Sequence, residues 1–279
     1  MELPAFTPAQ ESLFLTLGGR ALDSRLPHPF LGDTMADEVL GRTGYDLTTL
    51  PPLRTRSPDA RTKVFDIAVR AKRLDEVVRG FVARHPDAVV VDLGAGLDGR
   101  IFRVAPPPTV DWYDVDLPEV IALREQVVPH HAHAHVISAD VTDESWLDAL
   151  PADRPAVIVA DGLIAFLPQD GVVSLFNRLT GHFPGGELAF NAYTTVAVWA
   201  TTHLGSYAAI GGAVVNPGSN DPHAPERWAP ALKLVEEILL TRAPELAAMP
   251  LSGRLAARAI AWNAWLSRMS GTSVLRFQF

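Results

Sequence analysis

Residues 89–96 read Val-Val-Val-Asp-Leu-Gly-Ala-Gly, a run of branched apolar side chains that ends in an acid and turns through two glycines. Three consecutive valines suit a strand covered on both faces of a parallel sheet. Gly94 and Gly96 let bare backbone approach a ligand at the start of the following helix. Residues 94–99 also satisfy G-x-G-x-x-G literally, which admits a dinucleotide-binding fold. The acids that follow separate the two readings. Asp114 and Asp116 close the run from Val110, Asp140 follows the run from Ala134, and Asp161 ends the run from Ala156. In an open parallel sheet the carboxyl ends of the strands border the ligand crevice, so side chains far apart in sequence converge there. An acid after the second strand suits ribose hydroxyls, and one after the third suits an adenine amine. An acid after the fourth, Asp161, suits an ammonium group, which S-adenosylmethionine carries and a nicotinamide dinucleotide lacks.

Outward from this point, strands are expected at 89–93, 110–114, 134–138, 156–160 and 186–193. Helices are expected near 98–104, 118–127, 144–149, 169–182 and 194–209. Residues 61–84 read as a long helix, with Val64, Ile67, Ala68, Ala71, Leu74, Val78 and Phe81 at helical spacing. Short helices are expected around 11–17 and 34–40, separated by Pro27-His28-Pro29 and closed by Pro51-Pro52. Residues 232–240 fit a sixth strand or a helix, 243–270 are mostly helical, and 273–279 alternate as a terminal strand does. The order predicts an α/β fold with a doubly wound, Rossmann-like sheet, mostly parallel with an antiparallel last strand. A helical cap is expected over 1–60 and a single globular unit over 61–279. Within that unit, 194–272 hold helical additions and a lid candidate, the Pro- and Asn-rich stretch 216–225.

Composition narrows the function classes. The chain has 279 residues, 48% of them apolar, enough to bury a full core. A net charge of -8 argues against a surface that tracks nucleic-acid phosphates. With no cysteine there is no disulfide framework, thiolate metal site or cysteine nucleophile, which accords with a cytoplasmic location. The start Met1-Glu2-Leu3-Pro4 lacks a basic region followed by an apolar run, and no stretch approaches the roughly 20 apolar residues of a membrane span. The expectation is a protein with neither nucleic acid nor membrane as partner; its oligomeric state is open. His130, His131, His133 and His135 invite a metal reading, but they precede the third strand, away from the carboxyl ends. No metal is expected.

The chain resembles the class I S-adenosylmethionine-dependent methyltransferases of the leucine carboxyl methyltransferase type, in particular their bacterial branch similar to polyketide O-methyltransferases. Four blocks carry the resemblance: Asp92 to Asp98, Trp112 to Val120, Ser138 to Asp143 and Val159 to Leu163. Residues 10–17 and 19–25 also look like that branch, and the likeness weakens beyond about Trp199. The resemblance implies that Gly94, Ala95 and Gly96 shape the backbone around the methionine and ribose of the cofactor. Only one of Asp114 and Asp116 is expected to reach the ligand, and the resemblance places the ribose contact on Asp116. Asp140 with the Val141 backbone then holds the adenine edge, an Asp serving as a local cap being the alternative. Asp161, with Gly162, meets the cofactor's amine, although the family usually has Glu there. Arg70 matches an arginine that pairs with the cofactor's carboxylate, while Lys72 and Arg73 read as solvated charges, and Asp92 as a residue that fixes the loop. Asn191 and Tyr193 end the fifth strand and are candidates for touching the methyl acceptor, a small molecule. Phe14, Trp199, His203 and Trp228 are candidates for an aromatic-binding pocket.

No base dyad is evident, so no catalytic side chain is assigned. A carboxylic acceptor, ionised at neutral pH, needs none, and positioning carries the reaction. The expected activity is O-methylation of a carboxylate or acidic hydroxyl on a polyketide-like metabolite. An NAD-dependent oxidoreductase and a cofactor-binding protein with another activity are the alternatives.

Overall fold

Seven strands form one sheet in the order β3-β2-β1-β4-β5-β7-β6 in the computed structural model of the chain, which describes residues 6–50, 53, 58–203, 212–249, 251–269 and 272–279. The strands are β1 Val89–Leu93, β2 Asp111–Asp116, β3 Ala134–Ser138, β4 Ala156–Ala160, β5 Gly186–Ala192, β6 Lys233–Leu239 and β7 Ser273–Gln278. The helices are α1 Pro8–Ser24, α2 Thr34–Thr43, α3 Pro58–Arg84, α4 Arg100–Val104, α5 Pro118–Val127, α6 Gln169–His182, α7 Thr195–His203, α8 Ala224–Trp228, α9 Leu251–Ala261 and α10 Ala264–Met269. Residues 1–4, Pro51-Pro52 and the far end of the helix expected over 194–209 lie outside the described residues.

The centre of the sheet follows from its valines. All five residues of β1 and all five of β4 are buried, as strands covered on both faces require. β1 pairs in parallel with β2 and β4, β2 with β3, and β4 with β5. The terminal strand runs the other way: Gly186 and Phe279 exchange N–H···O bonds of 3.0 Å, the mark of antiparallel neighbours. Glu187 fastens this pairing by accepting two 2.8 Å bonds from the Arg276 guanidinium and one of 2.7 Å from Arg84. The expected class, a mostly parallel doubly wound sheet with an antiparallel last strand, is the observed one.

Residues 232–240, open to strand or helix in the sequence, form β6. Their weak alternation reflects an edge strand whose residues are largely exposed or half-buried. The segment 144–149 is a short 3-10 turn, Ser145–Ala149.

The chain divides into two compact units. One comprises residues 1–73, 192–220 and 238–274, and the other 74–191, 221–237 and 275–279. The division falls inside α3, so residues expected as a separate cap over 1–60 group with the first turns of that helix and with two later segments. In the first unit α1 packs on α2. The turn after α1 is closed by Asp23, wholly buried, whose carboxylate accepts from the backbone N–H groups of Phe30, Leu31 and Gly32. The loop at 216–220 is also tied down. Ser219 N–H donates to the Tyr193 carbonyl, and Asn220 Oδ1 accepts from Thr195 N–H and hydroxyl.

Candidate cofactor site

Strand register sets the geometry. Leu93 lies beside Val115 on one side and Ala160 on the other. One residue further on, Gly94, Asp116 and Asp161 therefore stand in one row at the carboxyl ends of three adjacent strands. With neighbours about 4.8 Å apart, the row spans roughly 10 Å. Gly94 and Gly96 take φ of 64° and 51°, values that a side chain makes costly. Gly94 N–H donates 2.8 Å to the Val115 carbonyl, locking the turn onto β2.

Asp116 occupies the head of β2. Its Oδ2 accepts from Gly96 N–H and its Oδ1 from Leu117 N–H, each at 2.7 Å. Burial raises its pKa above the ordinary carboxylate value, against the pull of those two N–H groups. A carboxylate has about four acceptor positions, so hydroxyl donors can still be received. Asp114 shares its face, because residues two apart in a strand point the same way. Depth rather than face distinguishes the pair. Asp114 is buried one step below, with Oδ1 taking the Trp112 indole N–H at 2.8 Å and Oδ2 the Arg124 guanidinium at 2.6 Å.

Asp140 is exposed and closes a local turn, Oδ1 accepting from Thr142 N–H at 2.8 Å and its hydroxyl at 2.7 Å. The local-cap alternative thus describes its present contacts. Val141 is buried, and its carbonyl accepts from Trp146 Nε1 and Arg178 Nη2. Asp161 follows β4 with its side chain 9% exposed and Oδ2 3.6 Å from Arg100 Nη2. Gly162 N–H donates 2.6 Å to Asn191 Oδ1. Asn191 is buried, and its Nδ2 meets no hydrogen-bond partner among the described residues.

Beneath the glycine turn lies a cluster that sequence reasoning missed. Arg100, 1% exposed, sits at the first turn of α4. It donates from Nε to Asp92 at 2.8 Å, from Nη1 to Asp75 at 2.7 Å and from Nη2 to Asp98 at 3.3 Å. Arg103 joins through Asp75 and Asp98. Burial opposes the charge on Arg100, but Asp92, Asp98, Asp75 and Asp161 outweigh it and raise its pKa. Burial pushes Asp92 up to about 7, with Arg100 pulling down and Asp114 and Asp98 adding to the rise. Arg124 on α5 completes the support, donating from Nη1 to the carbonyls of Gly96 and Asp98.

Signals for these residues existed. Asp75 falls within the apolar stripe of α3, between Ala71 and Val78, and Arg124 falls among Val120, Ile121 and Val127. A charge on a buried helix face requires a partner.

In the other unit, Arg70 is 2% exposed and its Nη1 donates to Tyr193 Oη at 3.1 Å. Two residues singled out separately meet there. Lys72 and Arg73, expected as solvated charges, both pair with Glu245, Lys72 at 2.9 Å. That carboxylate is itself largely buried, so its neutralisation draws in both cations. Phe14 is core, stacked on Tyr45 at 3.9 Å between ring centroids. Trp199, 54% exposed, stacks on His203. Among the histidines before β3, His131 packs edge-on to Phe102 and His135 stacks on Tyr113, its cross-strand neighbour.

Gly94, Asp116 and Asp161 thus stand in a row at the carboxyl ends of a Rossmann-like sheet, and comparisons with known proteins identify the family. The leucine carboxyl methyltransferase family pattern matches residues 14–180. The chain is 40% identical over 244 residues to the tetracenomycin polyketide synthesis O-methyltransferase TcmP of Streptomyces glaucescens, covering 86% of each. It is 31% identical over 215 residues to the S-adenosyl-L-methionine-dependent methyltransferase dpfgK of Gibberella zeae, covering 71% of this chain and 70% of that one. A crystal structure from Thermobifida fusca YX, described as a candidate methyltransferase, shares the fold with a TM-score of 0.51 at 16% identity, covering 93% of each chain. The chain belongs to the leucine carboxyl methyltransferase family. It is an S-adenosylmethionine-dependent methyltransferase, and the oxidoreductase alternative, which rested on residues 94–99, is set aside.

Proposed function

We propose that the protein transfers a methyl group from S-adenosylmethionine to a carboxylate or acidic hydroxyl of a small, polyketide-like metabolite in the cytoplasm. The observation that carries the cofactor half is the row of Gly94, Asp116 and Asp161 on adjacent strands. The acceptor half rests on the 40% identity to a polyketide O-methyltransferase. Among the described residues no helix is long and apolar enough to cross a membrane, and the net charge of -8 disfavours nucleic acid as substrate.

The residues present fit the cofactor. Asp75, Asp92, Asp98 and Asp161 face Arg100 and Arg103, with Arg79 also paired to Asp75, so the glycine turn is flanked by a dense set of carboxylates. Carboxylates in that position suit a ligand bearing an ammonium and a sulfonium. When bound, S-adenosylmethionine supplies a methyl group on sulfur that passes in line to the acceptor oxygen.

The chain's own groups provide position. In this reading Gly94, Ala95 and Gly96 offer bare backbone, Asp116 accepts the ribose hydroxyls, and Asp140 with Val141 borders the adenine. Asp161 and Gly162 receive the ammonium, and Arg70 keeps the carboxylate role that the resemblance gives it. Asn191 Nδ2 is an available donor for an acceptor oxygen. Tyr193 Oη accepts from Arg70, which leaves its own proton to donate to an anionic oxygen. Because a carboxylate acceptor is already ionised near neutrality, holding it at near-attack distance is sufficient.

The test is a product-mass screen with methyl-labelled cofactor. Aromatic polyketide acids and phenols are expected to gain one labelled methyl, lost again on ester or ether cleavage. Label found only on nitrogen or carbon acceptors would refute O-transfer.

A further inference from the structure

We infer that Arg100 is a positioning residue for the cofactor, fixing the Asp161 carboxylate where it receives the ammonium group. The inference rests on the assignment of Asp161 to that group. Arg100 is 1% exposed, so it holds Asp161 from beneath rather than touching ligand.

Its planar fork is clamped on two edges, Nε by Asp92 at 2.8 Å and Nη1 by Asp75 at 2.7 Å. With the plane fixed, Nη2 has one direction left. It faces Asp98 at 3.3 Å and Asp161 Oδ2 at 3.6 Å. Asp92 lies within β1, Asp161 directly follows β4, and β1 and β4 are paired neighbours. Arg100 thus transfers the rigidity of the central sheet to a residue that lies just beyond its strand. The need is greatest here, because Asp161 is one methylene shorter than the glutamate usual in the family. A shorter carboxylate reaches its ligand only if it is held in place. Lysine cannot substitute: its ammonium is a point charge that presents no fork.

The experiment uses the full chain and two probes that share adenosine, S-adenosylhomocysteine and 5′-methylthioadenosine, of which only the first carries the ammonium. Binding is measured by calorimetry for wild type, R100K, D161N and the double variant. We expect R100K to weaken S-adenosylhomocysteine by about tenfold while leaving 5′-methylthioadenosine within about twofold. In the D161N background the R100K change is expected to cost nothing more, since Arg100 acts through Asp161.

Equal losses for both probes, a loss that persists beside D161N, or unchanged S-adenosylhomocysteine affinity in R100K would each overturn the inference. Should R100K not fold, guanidinium nitrogen NMR on the wild-type chain decides. Arg100 Nη signals should move with S-adenosylhomocysteine and not with 5′-methylthioadenosine, and identical responses would overturn the inference. Failure of the wild type to bind S-adenosylhomocysteine would instead refute the cofactor site itself.

Discussion

The unit that carries the glycine turn and the unit that carries residues 238–274 both bury charge, the second at Arg20, Asp23, Asp33 and Arg70, but they differ in what they leave exposed. In the first, charges are buried and answered: Arg100, Asp75, Asp92, Asp98, Asp114 and Arg124 are all at most 6% exposed and all paired. In the second, large apolar groups stand in the open, Trp262 at 82%, Trp265 at 61%, Leu255 at 57% and Trp199 at 54%. A buried ion network holds its members to one geometry, since any displacement strands a charge. Exposed aromatic groups are free to adapt. The contrast sets a fixed ion network against an exposed apolar surface.

The contrast breaks most severely if Arg100 is dispensable. R100M leaves Asp75, Asp92 and Asp98 crowded together without their central cation, and stranding buried charge costs about 3–5 kcal/mol. Denaturant unfolding should show a loss of that size, enough to depopulate a domain of ordinary stability. A loss below about 1 kcal/mol would mean that the network is not structural.

Next in size is the link between two predicted residues in the other unit. Y193F removes the oxygen that accepts from buried Arg70, and loss of such a hydrogen bond costs about 0.5–1.5 kcal/mol. If Tyr193 serves chiefly to hold Arg70, the KM for S-adenosylmethionine rises and kcat changes little. If it faces the acceptor, the acceptor KM rises instead. Steady-state kinetics with each substrate varied separates the two.

These residues also show how much could be read beforehand. The fold was legible because β1 and β4 are unbroken apolar runs and because the acids stand at strand ends, a pattern local to each segment. The row of Gly94, Asp116 and Asp161 followed from those runs. Arg100 and Asp75 were not legible as a pair, being 25 positions apart; their meeting depends on how α3 lies against the glycine turn, which no local pattern encodes. The β6 segment was ambiguous for another reason. An edge strand is only partly buried, so alternation weakens and helix competes. Asp140 illustrates a third limit: the residue that caps a turn and the residue that borders an adenine are the same type at the same position.

A subtler effect concerns pH. Asp92 has its pKa raised to about 7 in the folded chain by burial, against about 3.9 unfolded. The folded state therefore binds the extra proton between those values. By linkage, this group's contribution is fully present below about pH 4 and is lost as pH rises toward 7. D92N keeps the neutral shape and cannot ionise, so it should flatten that part of the stability profile. Thermal unfolding of both proteins from pH 5 to 8 checks it. A D92N curve parallel to the wild type would place the proton on another member of the cluster.

The smallest effect on folding is expected from W262S. Trp262 follows α9 with 82% of its surface exposed, so its removal should alter stability by no more than about 0.5 kcal/mol. Cofactor affinity should also be unchanged, because Trp262 is not among the residues assigned to the cofactor. If the exposed tryptophans serve an aromatic acceptor, the acceptor KM alone rises, by severalfold for planar acceptors and less for aliphatic ones, as loss of ring contact predicts. An altered S-adenosylhomocysteine affinity in W262S would show that Trp262 contributes to cofactor binding as well. An unchanged acceptor KM would assign the exposed tryptophans a role other than acceptor binding, and the adaptable surface would then have to be sought on α7, around Trp199 and His203.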